Sequence, residues 1–360
     1  MKKKKLYLTL QNGKTLPGYA FGAEGDITGE LVFSTGMVGY IETLTDPCNY
    51  GQIVVQTFPL IGNYGMIHTD VESDRAWVSA YVVREICEEP SNFRMEGALE
   101  EYLKEQGVVG LYGVDTRELT KILREEGVMK ARISKKPLTA EEISALDSFE
   151  TKNAVQAVAK QEKGYFSAEN GKYTVALWNF GAKNSTIANL TAQGYNVVSL
   201  PANSKAEDIL SLDIDGVVLS DGPGNPMDNI SIIEEVKKLL GKKPVLGLGL
   251  GHLLVALALG AKTKKHKYGH RGSNQPVKCL ESGKVYISTQ NHAYEVASES
   301  VKNGKVIFAN ANDGGCEGIA YEDLKAITLQ FTPESCDIGN PVNPIYNTFT
   351  SFMEKEKENA

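Results

Sequence analysis

Two domains of α/β character are expected: a mixed α/β N-terminal domain, then one built on a mostly parallel sheet flanked by helices. Three observations carry this. The chain's 360 residues exceed what one core usually organises. From Tyr173 onward, short apolar segments alternate with helical ones, and strand–crossover–strand repeats build parallel sheets. Between the halves, residues 147–171 turn polar in Lys, Gln, Glu, Asn and Ser, which reads as a linker. The expected boundaries are therefore 1–146, a linker 147–171, and 172–360.

In the first half, Leu6–Leu10, Glu30–Phe33 and Gln52–Thr57 read as strands, with Asn12–Gly13 as a hairpin turn. Gly36–Gln52 reads as a polar connection. Residues 78–87 alternate as a strand would. Glu96–Gln106 reads as a helix stopped by Gly107. Asp115 is expected to cap a second helix, with Glu118 at the capping-box position and Gly127 as its end. Thr139 and Glu142 form a further capping box.

In the second half, Tyr173–Asn179, Asn196–Leu200, Gly216–Ser220 and Val245–Leu248 read as strands, and Lys183–Gln193 and Ser231–Leu240 as helices. Further on, Lys284–Ser288, Ile319–Tyr321 and Ala326–Leu329 read as strands, the first leading into Gln290–Asn291–His292–Ala293–Tyr294. Ligands of such sheets bind beyond the carboxyl ends of the strands. The glycine loops Gly222–Gly224 and Gly247–Gly251 lie at those ends, so they are expected to face one crevice.

A net charge of −7 argues against nucleic acid as the main partner. No apolar run approaches the ~20 residues of a membrane span. The Lys-rich start lacks the apolar stretch that would make it a signal peptide. Five scattered cysteines without a Cys-x-x-Cys pair read as reduced thiols in a cytoplasm, with no metal site.

Pro244–Leu254 is the most informative stretch. A short apolar strand meets an apolar helix through Gly247–Leu248–Gly249–Leu250–Gly251. This is the backbone of a nucleophile elbow, whose middle residue projects into an active site. Phosphate-binding turns and close helix–strand packing use spaced glycines as well. If it is an elbow, its middle residue is Gly249, which has no side chain to attack with.

Several loops then fall into a recognisable order. Ser220–Pro226 is similar to the Ser-Asn-Gly-Pro-Gly-Asp-Pro loop of class I glutamine amidotransferases, and Gly247–Leu253 to Gly-Ile-Cys-Leu-Gly-His-Gln. Gln290–His292 matches Gln-Asn-His, and Phe331–Glu334 matches Phe-His-Pro-Glu. In the first half, Phe33–Met37, Leu44–Pro47, Ser91–Arg94 and Asp115–Arg117 resemble segments of the carbamoyl phosphate synthetase small subunit. The whole chain, from about residue 5 to 350, resembles that family.

The resemblance implies a Cys-His-Glu triad that hydrolyses glutamine, with backbone N–H groups of the glycine loops stabilising the oxyanion. It also implies a large-subunit partner that uses the ammonia, bicarbonate and ATP to make carbamoyl phosphate, a precursor of arginine and pyrimidines. ATP and Mg²⁺ would belong to that subunit, leaving this chain without a cofactor. Mapped residue by residue, the cysteine position is Gly249 and the histidine position is Thr332, and Glu334 alone is retained. The family's glutamine-site positions fall on Cys48, Gly222, Gly224, Leu250, Leu253, Asn291, Ala293 and Tyr294. Leu253 replaces a glutamine, Cys48 a serine and Ala293 a glycine. Loss of a triad nucleophile costs on the order of 10⁶ in kcat in a well-studied protease. Leu253 would leave polar groups of the ligand unpaired, at about 1–3 kcal/mol. Glutamine is therefore expected to bind weakly or not at all. His252 reads as a packed or capping residue, and Cys336 and Cys48 as poor substitute nucleophiles.

The expected role is a non-catalytic small subunit that docks on an ammonia-using large subunit in the cytoplasm. Two alternatives stay open: a stand-alone small-molecule-binding pseudoenzyme, and a glutaminase with an unrecognised nucleophile.

Overall fold

The computed structural model describes residues 4–333 and 342–358. The chain divides into two compact units, Met1–Lys152 and Asn153–Ala360.

The first unit is a closed seven-stranded barrel. In spatial order its strands are Lys5–Leu10, Thr15–Gly22, Val109–Tyr112, Ala80–Val82, Gln52–Gln56, Ile27–Ser34 and Met129–Ser134. The last closes onto the first, in register Leu8↔Ile133. Three consecutive pairings are parallel: Ile27–Ser34 with Gln52–Gln56, that strand with Ala80–Val82, and Ala80–Val82 with Val109–Tyr112. These strands are largely buried, and of the expected strand 78–87 two short strands form, Ala80–Val82 and Glu85–Ile86. Val32, Val54 and Tyr81 pack on one side with Tyr40, Ile41, Leu44, Leu99 and Leu103.

The stretch Gly36–Gln52, expected as a polar loop, contains helix Tyr40–Thr45 and the short 3-10 turn Pro47–Asn49. Tyr40, Ile41 and Leu44 bury its apolar face, and the Tyr64 hydroxyl accepts from the backbone N–H groups of Gly39 (3.0 Å) and Tyr40 (3.2 Å). A cap supplied from outside the segment leaves no local mark. Helix Thr116–Glu126 is capped by Asp115, whose Oδ1 accepts from the Glu118 N–H at 3.0 Å. The Glu118 carboxylate pairs with Lys14 at 2.6 Å instead of closing a box. The Thr139–Glu142 box is complete in both directions.

The second unit is a ten-stranded sheet. Its order is Gly164–Phe166, Tyr195–Leu200, Tyr173–Trp178, Gly216–Leu219, Val245–Leu248, Ala326–Leu329, Cys316–Tyr321, Val285–Val296, Thr263–Cys279 and Lys305–Asn310. The five strands from Tyr195–Leu200 to Ala326–Leu329 are mutually parallel. Helices Ile230–Leu239 and Leu250–Ala258 cover one face, with Val236, Leu239, Leu253 and Leu254 buried beneath them. The other face carries Ile345, Tyr346, Phe349 and Met353 of helix Val342–Glu358. The unit is thus a mostly parallel sheet with helices on both sides.

The division between units falls inside the polar stretch 147–171. Helix Ala154–Val158 buries Val155 and Val158, and Gly164–Phe166 adds an antiparallel edge strand onto Tyr195–Leu200. Strand Val285–Val296 runs through Gln290–Tyr294 and pairs with the 17-residue strand Thr263–Cys279. That partner, rich in Lys, His and Gly, has no apolar alternation to announce it. Among the described residues, no helix is long and apolar enough to cross a membrane.

Candidate functional site

Strand Val245–Leu248 enters helix Leu250–Ala258 through Gly249, at φ 50° and ψ −108°. That conformation strains any residue with a β-carbon, and such strain gathers where side chains are aimed at a site. The turn is held from both sides. The Gly249 N–H donates to Leu329 O at 2.8 Å, and the Gly251 N–H to Ser220 O at 3.1 Å. Gly251 itself is required by packing, since a β-carbon there would run into the backbone of Leu219.

Asp221 occupies the space in front of Gly249. Its Oδ1 accepts from the Gly222 N–H at 2.8 Å and from the Leu250 N–H at 2.9 Å. A β-carbon built on Gly249 would overlap the same carboxylate. The two glycine loops therefore do converge, and an anionic oxygen of the chain itself bridges them. Ser220 fixes the loop from which Asp221 projects: its Oγ accepts from the Phe180 N–H at 2.8 Å and donates to Asp221 O at 2.7 Å.

Thr332 is tied to the neighbouring hairpin by its N–H, which donates to Thr289 O at 3.0 Å. Its hydroxyl accepts from Lys183 Nζ at 3.2 Å, and Lys183 is buried. Glu334 and Cys336 lie outside the described residues.

Asn291, Ala293 and Tyr294 sit on strand Val285–Val296, with Asn291 opposite Arg271 in the antiparallel register. Asn291 and Ala293 share one face of the strand by its twofold alternation, while Gln290 and His292 take the other. Leu250 and Leu253 are core residues of helix Leu250–Ala258, packed in the same apolar cluster. Gly224 adopts φ 90°, and a β-carbon there would press on Ala154. Cys48 belongs to the first unit. It is buried in the turn Pro47–Asn49, and its N–H donates to Asp46 Oδ1 at 2.9 Å. His252 is fully buried with Nδ1 at 2.8 Å from Thr328 Oγ1. Burial pushes its pKa down to about 3, so it is a neutral core residue.

Amide hydrolysis by a thiol needs a nucleophile, a base and free donors for the oxyanion. Position 249 offers a hydrogen atom, position 332 a hydroxyl facing an amine. The two N–H groups converging beside the elbow already hold a carboxylate. Among the described cysteines no disulfide forms, and burial pushes the Cys316 thiol up to about 12, leaving it inert.

Sequence reasoning passed over Asp221 and Lys183. Asp221 had a signal, since it stands where the similar loop carries Asn. Lys183 had only its place after strand Tyr173–Trp178, at the carboxyl end where ligands of parallel sheets gather.

Comparison with known proteins agrees with this architecture in both halves. Residues 8–133 match the carbamoyl-phosphate synthase small chain, CPSase domain, and residues 176–351 match glutamine amidotransferase class-I. The carbamoyl phosphate synthase small chain of Clostridium perfringens is 45% identical over 349 residues, covering 97% of this chain and 99% of the relative. That of Bacillus cereus is 43% identical over 357 residues, covering 98% and 97%. That of Bacillus caldolyticus is 42% identical over 354 residues, covering 98% and 97%. A solved glutamine amidotransferase from Thermotoga maritima is similar at 18% identity and a TM-score of 0.35, covering 51% of this chain and 84% of its own. Full-length similarity at this level, with both halves matched in order, places the chain in the carbamoyl phosphate synthase small-chain family.

Proposed function

We propose that this chain is a small subunit that does not hydrolyse glutamine and instead supports a large, ammonia-using subunit in making carbamoyl phosphate. The relatives' description as small chains implies such a partner, and arginine and pyrimidine synthesis are the pathways that the product would serve. The observation that carries the reading is the Asp221 carboxylate held by the Gly222 and Leu250 N–H groups, directly in front of Gly249. A site that had lost only its thiol would keep those donors available to a substrate carbonyl. Here a second negative charge on a tetrahedral intermediate would have to displace the first. Glutamine binding is accordingly weak or absent.

The test is co-expression with a carbamoyl phosphate synthase large chain, then synthesis assays with ammonium or glutamine as nitrogen donor. The reading expects co-purification, turnover with ammonium, and no turnover with glutamine. Glutamine-supported synthesis that thiol-alkylating glutamine analogues abolish would overturn it.

A further inference from the structure

Three of the chain's five histidines meet on the long hairpin of the second unit. His270 lies opposite His292 in the register of Thr263–Cys279 against Val285–Val296. An irregularity between Lys265 and His270 brings His266 in beside them. The ring centroids are 4.6 Å apart for His266 and His270, 5.0 Å for His270 and His292, and 5.5 Å for His266 and His292. One nitrogen from each ring lies within 4.8 Å of the other two.

We propose that His266, His270 and His292 bind one divalent transition-metal ion of the zinc class, with the carboxylates of Glu295 and Glu317 balancing its charge. This does not rest on the reading of the elbow.

Carboxylate and amide oxygens line the three rings. His292 Nδ1 donates to Tyr294 O at 3.0 Å, which leaves the lone pair on Nε2. That nitrogen faces Gln290 Oε1, a second acceptor, at 3.1 Å. The Gln290 amide nitrogen is engaged elsewhere, donating to Ser288 Oγ at 3.2 Å and hydrogen-bonding Glu317. His266 Nε2 faces Glu295 Oε2 at 3.4 Å, and neither atom has a hydrogen-bond partner. Glu317 Oε1 lies 3.5 Å from His270 Nδ1, and its Oε2 is buried without a partner.

Lys264 pairs with the other Glu295 oxygen at 2.8 Å, and Arg271 Nη1 donates to Tyr268 O at 2.8 Å, so the local cations are partly engaged. Asp313 takes His270 Nε2 at 2.9 Å, the carboxylate–histidine contact that orients metal-binding imidazoles. Imidazole donors suit zinc, copper and nickel rather than magnesium or calcium. Tetrahedral ligation at ~2.0 Å needs nitrogens about 3.3 Å apart, so closure asks for shifts of about 1.5 Å at most.

His266 and His270 stand in a His-x3-His spacing that zinc sites use, but His292 is in the partner strand and no cysteine accompanies them. Such an ion would staple the hairpin to strand Cys316–Tyr321, which carries Glu317.

The test uses the full chain, tag-free, reduced and stripped with chelator. It is titrated with Zn²⁺ by calorimetry and with Co²⁺ by absorbance. The expected result is one equivalent bound, visible Co²⁺ ligand-field bands, and no sulfur-to-metal charge-transfer band. His266→Ala, or His266→Gln if the first variant fails to fold, lowers the affinity at least tenfold with unchanged far-UV circular dichroism. Three results would overturn the proposal: no stoichiometric binding by the unaltered chain, a thiolate charge-transfer band, or unchanged affinity in the folded His266 variant.

Discussion

The elbow and the hairpin answer the same electrostatic question in opposite ways. At the elbow, two N–H donors converge and the chain supplies its own anion, Asp221. On the hairpin, ring nitrogens of His266 and His292 face oxygens of Glu295 and Gln290. One region is closed by an internal partner and the other is arranged for an external one. The difference separates frame from chemistry. Gly251 persists because the Leu219 backbone leaves no room for a β-carbon, whatever reaction the loop serves. Gly249 and Thr332 stand where the resemblance implies the cysteine and histidine of a triad.

The largest effect should come from reopening the elbow. Gly249→Cys with Thr332→His restores nucleophile and base, but the new β-carbon meets the Asp221 carboxylate. Adding Asp221→Ala, which leaves no acceptor on the N–H pair, should raise glutamine hydrolysis by about 10²-fold over that double variant, the usual worth of one oxyanion donor. Ammonia release under steady state checks this. An equal rate in both variants would mean that Asp221 does not block the donors.

A second prediction concerns His252, a buried imidazole with a single partner and no metal role. Its folded pKa, about 3, lies below the ordinary 6.5, so the fold favours the neutral form. The stability it contributes is complete above pH 6.5 and is lost as pH falls towards 3. The slope is about 1.4 kcal/mol per pH unit at its steepest. Urea unfolding from pH 7 to 4 should show this slope, and His252→Asn should flatten it.

Asp221→Ala should cost about 1–3 kcal/mol, because two N–H groups lose their acceptor. Acetate should recover part of the lost melting temperature in this variant and leave the unaltered chain unmoved. Differential scanning calorimetry reads both. The smallest effect is a control in the first unit: Thr139→Ala should cost about 1 kcal/mol by removing a complete capping box.

Much of both units was legible where the signals are local. Val245–Leu248 and Ala326–Leu329 fall where apolar runs between turn residues put them, and the Thr139–Glu142 box follows from spacing alone. The hairpin strand Thr263–Cys279 was not legible, because its Lys, His and Gly residues are held by pairing and by ion pairs rather than by apolar burial. Helix Tyr40–Thr45 was hidden because its cap, Tyr64, comes from a later segment. Barrel closure depends on pairings between distant strands, such as Leu8 with Ile133. At the candidate site, the glycine at the elbow was readable from one position. The group that fills its place was not, because a one-residue change from Asn to Asp acquires meaning only when its oxygen is seen between two loops.

The account's central claim is that no acyl transfer from glutamine takes place on this chain. Its most direct test is intact-mass spectrometry of the chain, acid-quenched during incubation with glutamine, alone and in complex with a large subunit. The account predicts an unchanged mass in both cases; a γ-glutamyl adduct on any residue would contradict it.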